Sequence, residues 1–457
     1  MHMKSLIVAA ALAAKSGGAG TLPPQMPLPT AQTAVSVEQR VGVSELLVAA
    51  RGVAPAVCAL AADGASQGWG GSWDAPDLAV RADVRQLVRN MRATSLDHAE
   101  SQALIDALAS DDACVRHMAG TLIGRSGDVS FVPELTKLLS SSMPDERAGA
   151  ARSLGLLGDK TAVDEIVRAL RDATPAVRAN AAWALGRIGE RRVASKVAPL
   201  TTDQSPEVRG AAVVTLGHLE AADNVDVLLR VLKDDESPAV RRTAAWALGQ
   251  IEARSAAGGL AAAMRSDKSD AVREMAAWAL GETQARESAA SIADALKNDA
   301  SPMVRETAAW ALGTIEDSQY GDLLAEVAAS DKSTNVRGTA AWAVGQINPG
   351  HAPKPLLTAL RDPDDDVRLK AAWALSQISD ADAVPAVTDA LRVEKRDRVR
   401  QALVRALLES GERSSDVFKN LLESSDKETR EMAVRALAGR RGPWPWPWPW
   451  PRPRPNP

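Results

Sequence analysis

The sequence predicts an all-α protein in which pairs of helices repeat along the chain and stack into an α-solenoid. Three observations predict this fold: an arginine that recurs at a nearly constant interval, other residues that keep a fixed distance from it, and a composition rich in helix formers. Hydrophobic residues make up 46% of the 457 residues but aromatic residues only 3%. The apolar share is therefore mostly Ala, Leu and Val, and Ala and Leu favour helices.

The recurring arginine, called the anchor arginine below, marks eleven repeats separated by 30 to 32 residues. The anchors are Arg116, Arg147, Arg178, Arg209, Arg241, Arg273, Arg305, Arg337, Arg368, Arg400 and Arg430. One helix pair of this length cannot bury its apolar face alone, whereas stacked pairs bury a continuous core. We therefore predict a superhelix of about eleven helix pairs over residues 96–439, with a long concave surface.

Other residues keep phase with the anchor, and positions are counted from it. An acidic residue precedes it by six positions at Asp172, Asp203, Asp235, Asp267, Asp299, Asp331 and Asp362. A glycine follows at position +8 at Gly124, Gly155, Gly186, Gly217, Gly249, Gly281, Gly313 and Gly345. These positions indicate one structural motif copied many times.

A single repeat reads as two helices joined by a turn. Apolar residues at helical spacing predict a first helix over Ala162–Leu170. Thr174 is suited to the N-cap of the second helix, and Pro175 to its first position. This second helix is expected to run through Ile188 and to stop at Gly189.

The repeat resembles the HEAT repeat, specifically the short HEAT-like type first associated with phycobilisome lyases. The residues that carry the resemblance are Asp172, the Val177-Arg178 step, the segment 181–186 (Ala-Ala-Trp-Ala-Leu-Gly) and Ile188, together with their copies. The resemblance implies a right-handed superhelix whose second helices line the concave face. It also implies that the phased Asp and Arg residues form a structural ladder that sets the stacking register.

Six repeats carry a tryptophan at position +5, and the helical geometry places it away from the buried stripe. These residues are Trp183, Trp246, Trp278, Trp310, Trp342 and Trp373, with Val214 as a gap in the row. Two interpretations stay open. The indoles form an aromatic partner-binding surface along the concave face, or each indole lies flat against the neighbouring repeat.

The chain closes with residues 440–457, in which Pro alternates with Trp444, Trp446, Trp448 and Trp450. Alternating proline excludes a helix, so this Trp/Pro tail is predicted to be disordered and extended. The tail is interpreted as a docking peptide, a membrane-interface segment or a low-complexity end with little role. Its extended length also suits a fourth hypothesis, in which it occupies the chain's own groove.

The N-terminal region divides into three predicted segments. Residues 1–14 read as a weak signal peptide, 15–40 as a disordered linker and 41–95 as a helical region that caps the first repeat. Export predicts a periplasmic or secreted protein; the alternative is a cytoplasmic one. Cys58 and Cys114 could form a disulfide after export, although the sequence favours two separate thiols.

No motif points to catalysis. The five histidines lack metal-binding spacing, and no nucleophile or phosphate-loop motif occurs. Asp362, Asp364 and Asp366 imitate the start of a calcium loop, but the required later Gly and Glu are Val367 and Trp373. No cofactor or metal site is therefore predicted, and the net charge of −4 argues against nucleic acid.

The predicted function is that of a non-catalytic, monomeric scaffold or adaptor that binds a protein or extended peptide on its concave face. One alternative is a chromophore-handling protein like the bilin lyases, which the resemblance alone suggests. The other is a peripheral membrane or envelope scaffold that uses the Trp/Pro tail.

Overall fold

The computed structural model describes residues 43–52 and 96–411, together with part of 419–434. Helices and their connecting turns make up these residues, and none of them lies in a strand. The chain forms two compact units, Met1–Thr215 and Leu216–Pro457, called the N-terminal and C-terminal units below.

Helix pairs follow one another in the N-terminal unit, as the repeats predict. Its helices are α1 (Val43–Ala50), α2 (His98–Ala107), α3 (Ala113–Ser126), α4 (Val132–Leu138), α5 (Pro144–Leu157), α6 (Val163–Ala169), α7 (Pro175–Ile188), α8 (Ala194–Val197) and most of α9 (Pro206–His218). Helix α1 packs on the first pair, α2 and α3. The second helices α3, α5 and α7 pack side by side in sequence order.

The C-terminal unit continues with the same kind of pair. Its helices are α10 (Val225–Asp234), α11 (Pro238–Gln250), α12 (Ala257–Ser266), α13 (Asp270–Glu282), α14 (Ala289–Asn298), α15 (Pro302–Ile315), α16 (Gly321–Ser330), α17 (Thr334–Ile347), α18 (Lys354–Ala359), α19 (Asp365–Ile378), α20 (Val384–Val393) and α21 (Asp397–Glu409). Second helices again pack side by side, from α11 through α21. Ala, Leu and Val at their contacts are fully buried, which places the core between the two helix layers of each unit.

The repeat analysed by sequence agrees with the structure at its second helix and differs at its first. Helix α7 spans Pro175–Ile188 as predicted, and Gly189 ends it with a left-handed φ of +77°. The first helix is shorter than expected, because residues Lys160–Ala162 form a 3-10 turn before α6 begins at Val163.

The predicted N-cap is correct in position and wrong in mechanism. Thr174 occupies the N-cap of α7, but its side chain makes no capping hydrogen bond. The carboxylate of Asp172 instead accepts a hydrogen bond from the Thr174 backbone N–H at 2.8 Å. The phased Asp therefore organises the turn that the sequence assigned to the threonine.

Several predicted features fall on residues that the structure does not describe: the signal peptide 1–14, the linker 15–40, most of the cap region 41–95 and the Trp/Pro tail. Within the described residues, no helix is both long and apolar enough to span a bilayer. Cys114 is disulfide-bonded, so the expectation of two separate thiols was wrong. Cys58, the other cysteine of the sequence, lies outside the described residues.

Candidate functional site

The anchor arginines join each repeat to the next one. In α13 the Arg273 guanidinium donates from Nε and Nη2 to the two carboxylate oxygens of Asp299, at 2.7 and 2.9 Å. Its Nη1 donates to the backbone carbonyl of Asp267 in its own repeat. The same two-point ion pair joins Arg147 to Asp172, Arg178 to Asp203, Arg241 to Asp267, Arg305 to Asp331, Arg337 to Asp362 and Arg368 to Glu394.

The acidic partner is held charged in a nearly buried position. The side chain of Asp299 is 9% exposed. Burial alone would raise its pKa, but the hydrogen bonds from Arg273 and from the Ser301 backbone N–H hold the pKa below its usual range. This confirms the predicted structural ladder. Seven of the anchor arginines are therefore paired with the neighbouring repeat rather than presented to a partner.

The phased glycine and tryptophan are two halves of one contact between successive repeats. A Cβ placed on Gly281 would lie 2.6 Å from Cζ3 of Trp310, in the next repeat. The corresponding separations lie between 2.5 and 3.0 Å for Gly155 with Trp183, Gly217 with Trp246, Gly249 with Trp278, Gly313 with Trp342 and Gly345 with Trp373. The glycine therefore leaves the space into which the next indole packs.

The six indoles differ in how much of them reaches the surface. Trp246, Trp278, Trp310 and Trp342 are only 4–9% exposed, so the structure supports packing against the neighbouring repeat for these four. Trp183 and Trp373 are half-buried and keep part of the ring accessible. The tail residues Trp444, Trp446, Trp448 and Trp450 lie outside the described residues.

Positions +1 and +9 lie on the same side of each second helix as the tryptophans, and together they define the second-helix face. Their chemistry changes from repeat to repeat. Position +1 carries His117, Ala148, Ala179, Gly210, Arg242, Glu274, Glu306, Gly338, Leu369 and Gln401. Sequence reasoning placed the tryptophans on this side of the second helices but missed positions +1 and +9, because it followed the residues that keep phase, whereas recognition is expected where otherwise identical repeats differ.

In the C-terminal unit this face holds half-buried charges. Burial raises the pKa of Glu274, the nearby Arg242 opposes the rise, and the Glu306 carboxylate adds to it. Burial also raises the pKa of Glu306, against the opposing Lys370 ammonium and a 3.4 Å hydrogen bond from Thr339. These carboxylates are not part of the ladder of anchor arginines, and their burial is unfavourable unless it is compensated by such contacts.

Lys370, at position +2 of its repeat, lies beside this face, and its side chain passes over a position that has no side chain. A Cβ on Gly338 would lie 3.3 Å from the Lys370 Nζ, so the lysine extends across the glycine of the preceding repeat. Its ammonium pairs with Asp366 at 2.7 Å. Charged groups therefore follow one another from Arg242 through Glu274 and Glu306, and the ammonium of Lys370 reaches back over the repeat that has Gly338 at position +1.

In the N-terminal unit the same face is basic. The Arg152 Cζ lies 5.2 Å and the Arg187 Cζ 6.0 Å from the centroid of the Trp183 ring, within the range of cation–π contact. Burial first, and then the Arg152 charge, lower the pKa of His117 to about 4. His117 is therefore neutral at physiological pH, and the charge of this row resides on the arginines.

The residues that imitated a calcium loop have structural roles. Asp362 pairs with Arg337, Asp364 caps α19 through the backbone N–H of Val367, and Asp366 pairs with Lys370. Nowhere in the described parts of the chain do three or more His, Cys, Asp or Glu side chains gather as a metal site would require.

Comparison with known proteins agrees with this geometry. The family described as HEAT repeats matches residues 132–203, 195–267, 257–334 and 321–408. No functionally curated protein is similar enough in sequence to match the chain.

Two solved structures share the fold at low sequence identity. A structure of Kap95p with RanGDP superposes with a TM-score of 0.54 at 14% identity, over 79% of this chain and 58% of that one. An importin beta structure gives 0.54 at 14% identity, over 78% and 59%. An engineered protein gives 0.43 at 22% identity, over 67% and 98%. With more than half of its residues matched by the family, the chain belongs to the HEAT-repeat family.

Proposed function

We propose that the protein is a non-catalytic scaffold or adaptor, and that it binds a protein or an extended peptide along its second-helix face as a monomer. The observation that carries this proposal is the contrast between positions. The anchor, its acidic partner, the glycine and most tryptophans serve contacts between repeats, whereas position +1 differs from repeat to repeat and keeps polar groups partly exposed.

The partly desolvated charges support the same proposal. Glu274 and Glu306 carry carboxylates whose pKa values are raised by burial. Groups of this kind occur more often at functional sites than in parts of a protein that only maintain the fold. The half-buried Trp183 and Trp373 add aromatic area, which is frequent in interface hot spots.

The comparisons support a binding role in general terms. Kap95p, which shares the helical-repeat fold, binds RanGDP. HEAT-repeat solenoids are generally non-catalytic scaffolds, and the same fold carries many unrelated functions. We therefore transfer no specific partner to this chain. Export remains a proposal, and the disulfide at Cys114 supports it because disulfides persist in oxidising compartments.

A charge-reversal experiment tests the face directly. The double variant Glu274→Lys and Glu306→Lys changes position +1 of two successive repeats. The matched control Asp294→Lys and Glu326→Lys makes the same change on exposed positions of the first helices α14 and α16.

Proteins captured from the source cell extract would be quantified by mass spectrometry for each variant. We expect the partner set of the unmodified protein to be lost with the second-helix variant and kept with the control. The reverse result, or retention of the set by both, would contradict binding on this face.

A further inference from the structure

The burial of each phased tryptophan depends on the residue at position +5 of the following repeat. The four indoles that are 4–9% exposed are each followed there by another tryptophan. The half-buried Trp183 and Trp373 are followed instead by Val214 and Arg405. An indole is thus buried where a second indole follows it, and Trp373, the last of the row, keeps part of its aromatic surface accessible.

Two half-buried carboxylates lie further along the same face, in α13 and α15. Burial raises the pKa of both Glu274 and Glu306. Within the described parts of the chain, neither carboxylate forms an ion pair with the opposing charges near it. Glu306 accepts hydrogen bonds from Thr339 and Asn335, but a carboxylate has about four lone-pair sites and can accept more. A cation beside these two groups would favour their charged forms, which burial disfavours.

The same face holds a buried donor that has no acceptor. Trp278, one helical turn after Glu274, is 4% exposed, and its Nε1 has no hydrogen-bond partner among the described residues. Cζ3 of this ring packs at Gly249 in the preceding repeat, and Nε1 lies on the opposite edge of the indole. The donor is therefore turned away from the preceding repeat. An unpaired buried N–H is unfavourable, and a main-chain carbonyl of a bound segment would be an acceptor for it.

The Trp/Pro tail of the same chain carries the groups that this face lacks. Four tryptophans stand at alternate positions from Trp444 to Trp450, and Arg452 and Arg454 follow them. Proline at every second position removes main-chain N–H groups and leaves the carbonyls as acceptors. Indoles, carbonyl acceptors and two cations therefore follow one another along a single segment.

The distances along the array set the length that an occupant needs. The described array continues to Ala433, in the last repeat. Two steps separate the last repeat from that of Trp373, and four and five steps separate it from those of Glu306 and Glu274. Packed helices lie about 8–10 Å apart, so these steps correspond to about 16–20, 32–40 and 40–50 Å.

The tail has the matching length. The repeats are predicted to end at residue 439, and an extended segment that starts at residue 440 advances about 3.1 Å per residue. At this rise the segment covers about 19 Å to Trp446, about 37 Å to Arg452 and about 43 Å to Arg454. The first length agrees with the distance to Trp373, and the other two agree with the distances to the two glutamates.

We propose that the Trp/Pro tail docks on the second-helix face of the C-terminal unit of its own chain, with an indole on Trp373 and its two arginines on Glu306 and Glu274. The tail runs back along the array from the last repeat. The inference rests on the proposed scaffold function for its consequence, which is that a partner binding this face has to displace the tail.

Photo-crosslinking in the full-length protein tests this contact. Benzoylphenylalanine is incorporated in place of Trp446, and mass spectrometry identifies the peptide joined to it after irradiation. We expect this peptide to come from α19, which carries Trp373, or from the second helix on either side of it. Arg452→Glu combined with Arg454→Glu should lower the yield about fivefold, because the double variant reverses both proposed ion pairs.

A charge exchange provides the matched control. In the background of the two tail substitutions, Glu274→Arg with Glu306→Arg should restore the yield. Asp294→Arg with Glu326→Arg makes the same change at exposed positions of first helices and should not restore it. Circular dichroism identifies any variant that fails to fold. The tail variant lies outside the repeats and keeps the test valid if the exchange on the face prevents folding.

Three results would overturn the proposal. They are the absence of an intramolecular crosslink to the second helices of the C-terminal unit, a yield that the tail substitutions do not lower, and crosslinks that join labelled to unlabelled chains when nitrogen-15-labelled and unlabelled protein are mixed. The last result would assign the face to the tail of a second copy. Since none of these measurements involves a partner, a missing crosslink together with normal partner capture would refute this inference and leave the scaffold proposal intact.

Discussion

The contact between the phased glycine and the next tryptophan predicts that adding a single methyl group destabilises the array. The substitution Gly281→Ala places a Cβ 2.6 Å from the Trp310 Cζ3 and 3.1 Å from the Cα and Cβ of Ala311. Carbon atoms pack best at about 3.5–4.0 Å. The ring would have to move by about 1 Å, and at 9% exposure Trp310 has little space for this movement.

Two opposing effects set how much Gly281→Ala changes the free energy of unfolding. Alanine favours a helix interior over glycine by about 1 kcal/mol, and overpacking a closed contact costs about 1–3 kcal/mol. Because an indole and a backbone are both too close, we expect the upper part of that range. The net prediction is a loss of about 1–2 kcal/mol in the free energy of unfolding.

Urea unfolding followed by far-ultraviolet circular dichroism measures the change, and hydrogen exchange of α13 and α15 locates it. The matched control is Gly258→Ala on the exposed side of α12, where an added Cβ meets nothing within 4 Å. It is expected to stabilise by about 0.5–1 kcal/mol. In a Trp310→Leu background, Gly281→Ala should lose the part of its cost that the indole causes and keep the part caused by Ala311. If Gly281→Ala stabilises the unmodified protein as much as the control does, the indole does not rest on this glycine.

Three further predictions follow from other contacts. Asp299→Ala leaves the Arg273 guanidinium without its two-point partner at a nearly buried position. The free energy of unfolding, measured in urea, should therefore fall by about 2–4 kcal/mol. A fall of less than about 0.5 kcal/mol would show that the ladder contributes little to stability. Because burial raises the folded-state pKa of Glu274, its ionisation opposes folding, and the stability present at low pH is lost as the pH rises through that pKa. Glu274→Gln should therefore stabilise the protein by less than about 1 kcal/mol near pH 7 and not near pH 4, since the side chain is partly solvated; equal urea midpoint shifts at both pH values would refute this. Glu316 ends α15 in the left-handed region, with φ +55°, whereas Gly158 and Gly189 end the corresponding helices of other repeats. Glu316→Gly should therefore raise the free energy of unfolding by about 0.5 kcal/mol, measured by heat or urea. A decrease would contradict the backbone strain assigned to Glu316.

The sequence predicted the repeat and its second helix well because both depend on local signals. The anchor spacing gives the helix pair, Pro175 and Gly189 mark the ends of α7, and the structure agrees at each residue. The 3-10 turn at Lys160–Ala162 was missed because a single 3-10 turn leaves almost the same apolar pattern as the first turn of an α-helix.

The tryptophan row shows where sequence reasoning had to leave two alternatives. Both Gly249 and Trp278 were seen to keep phase, but their contact joins two different repeats. This contact depends on how neighbouring second helices are offset from each other. The angular position of Trp278 on its own helix gives no information about that offset. The charged second-helix face was missed for a related reason, since Glu274 and Arg152 matter through neighbours about one repeat away.

Acrylamide quenching of tryptophan fluorescence tests most directly whether the indoles join the repeats rather than forming an open surface. The protein would carry phenylalanine in place of Trp69, Trp73 and the four tail tryptophans, leaving the six tryptophans at position +5. We predict two populations: a shielded one from the four buried indoles, and an accessible one that disappears when Trp183 and Trp373 are also replaced by phenylalanine. A single population, quenched as strongly as free tryptophan, would contradict the packing of these side chains between repeats.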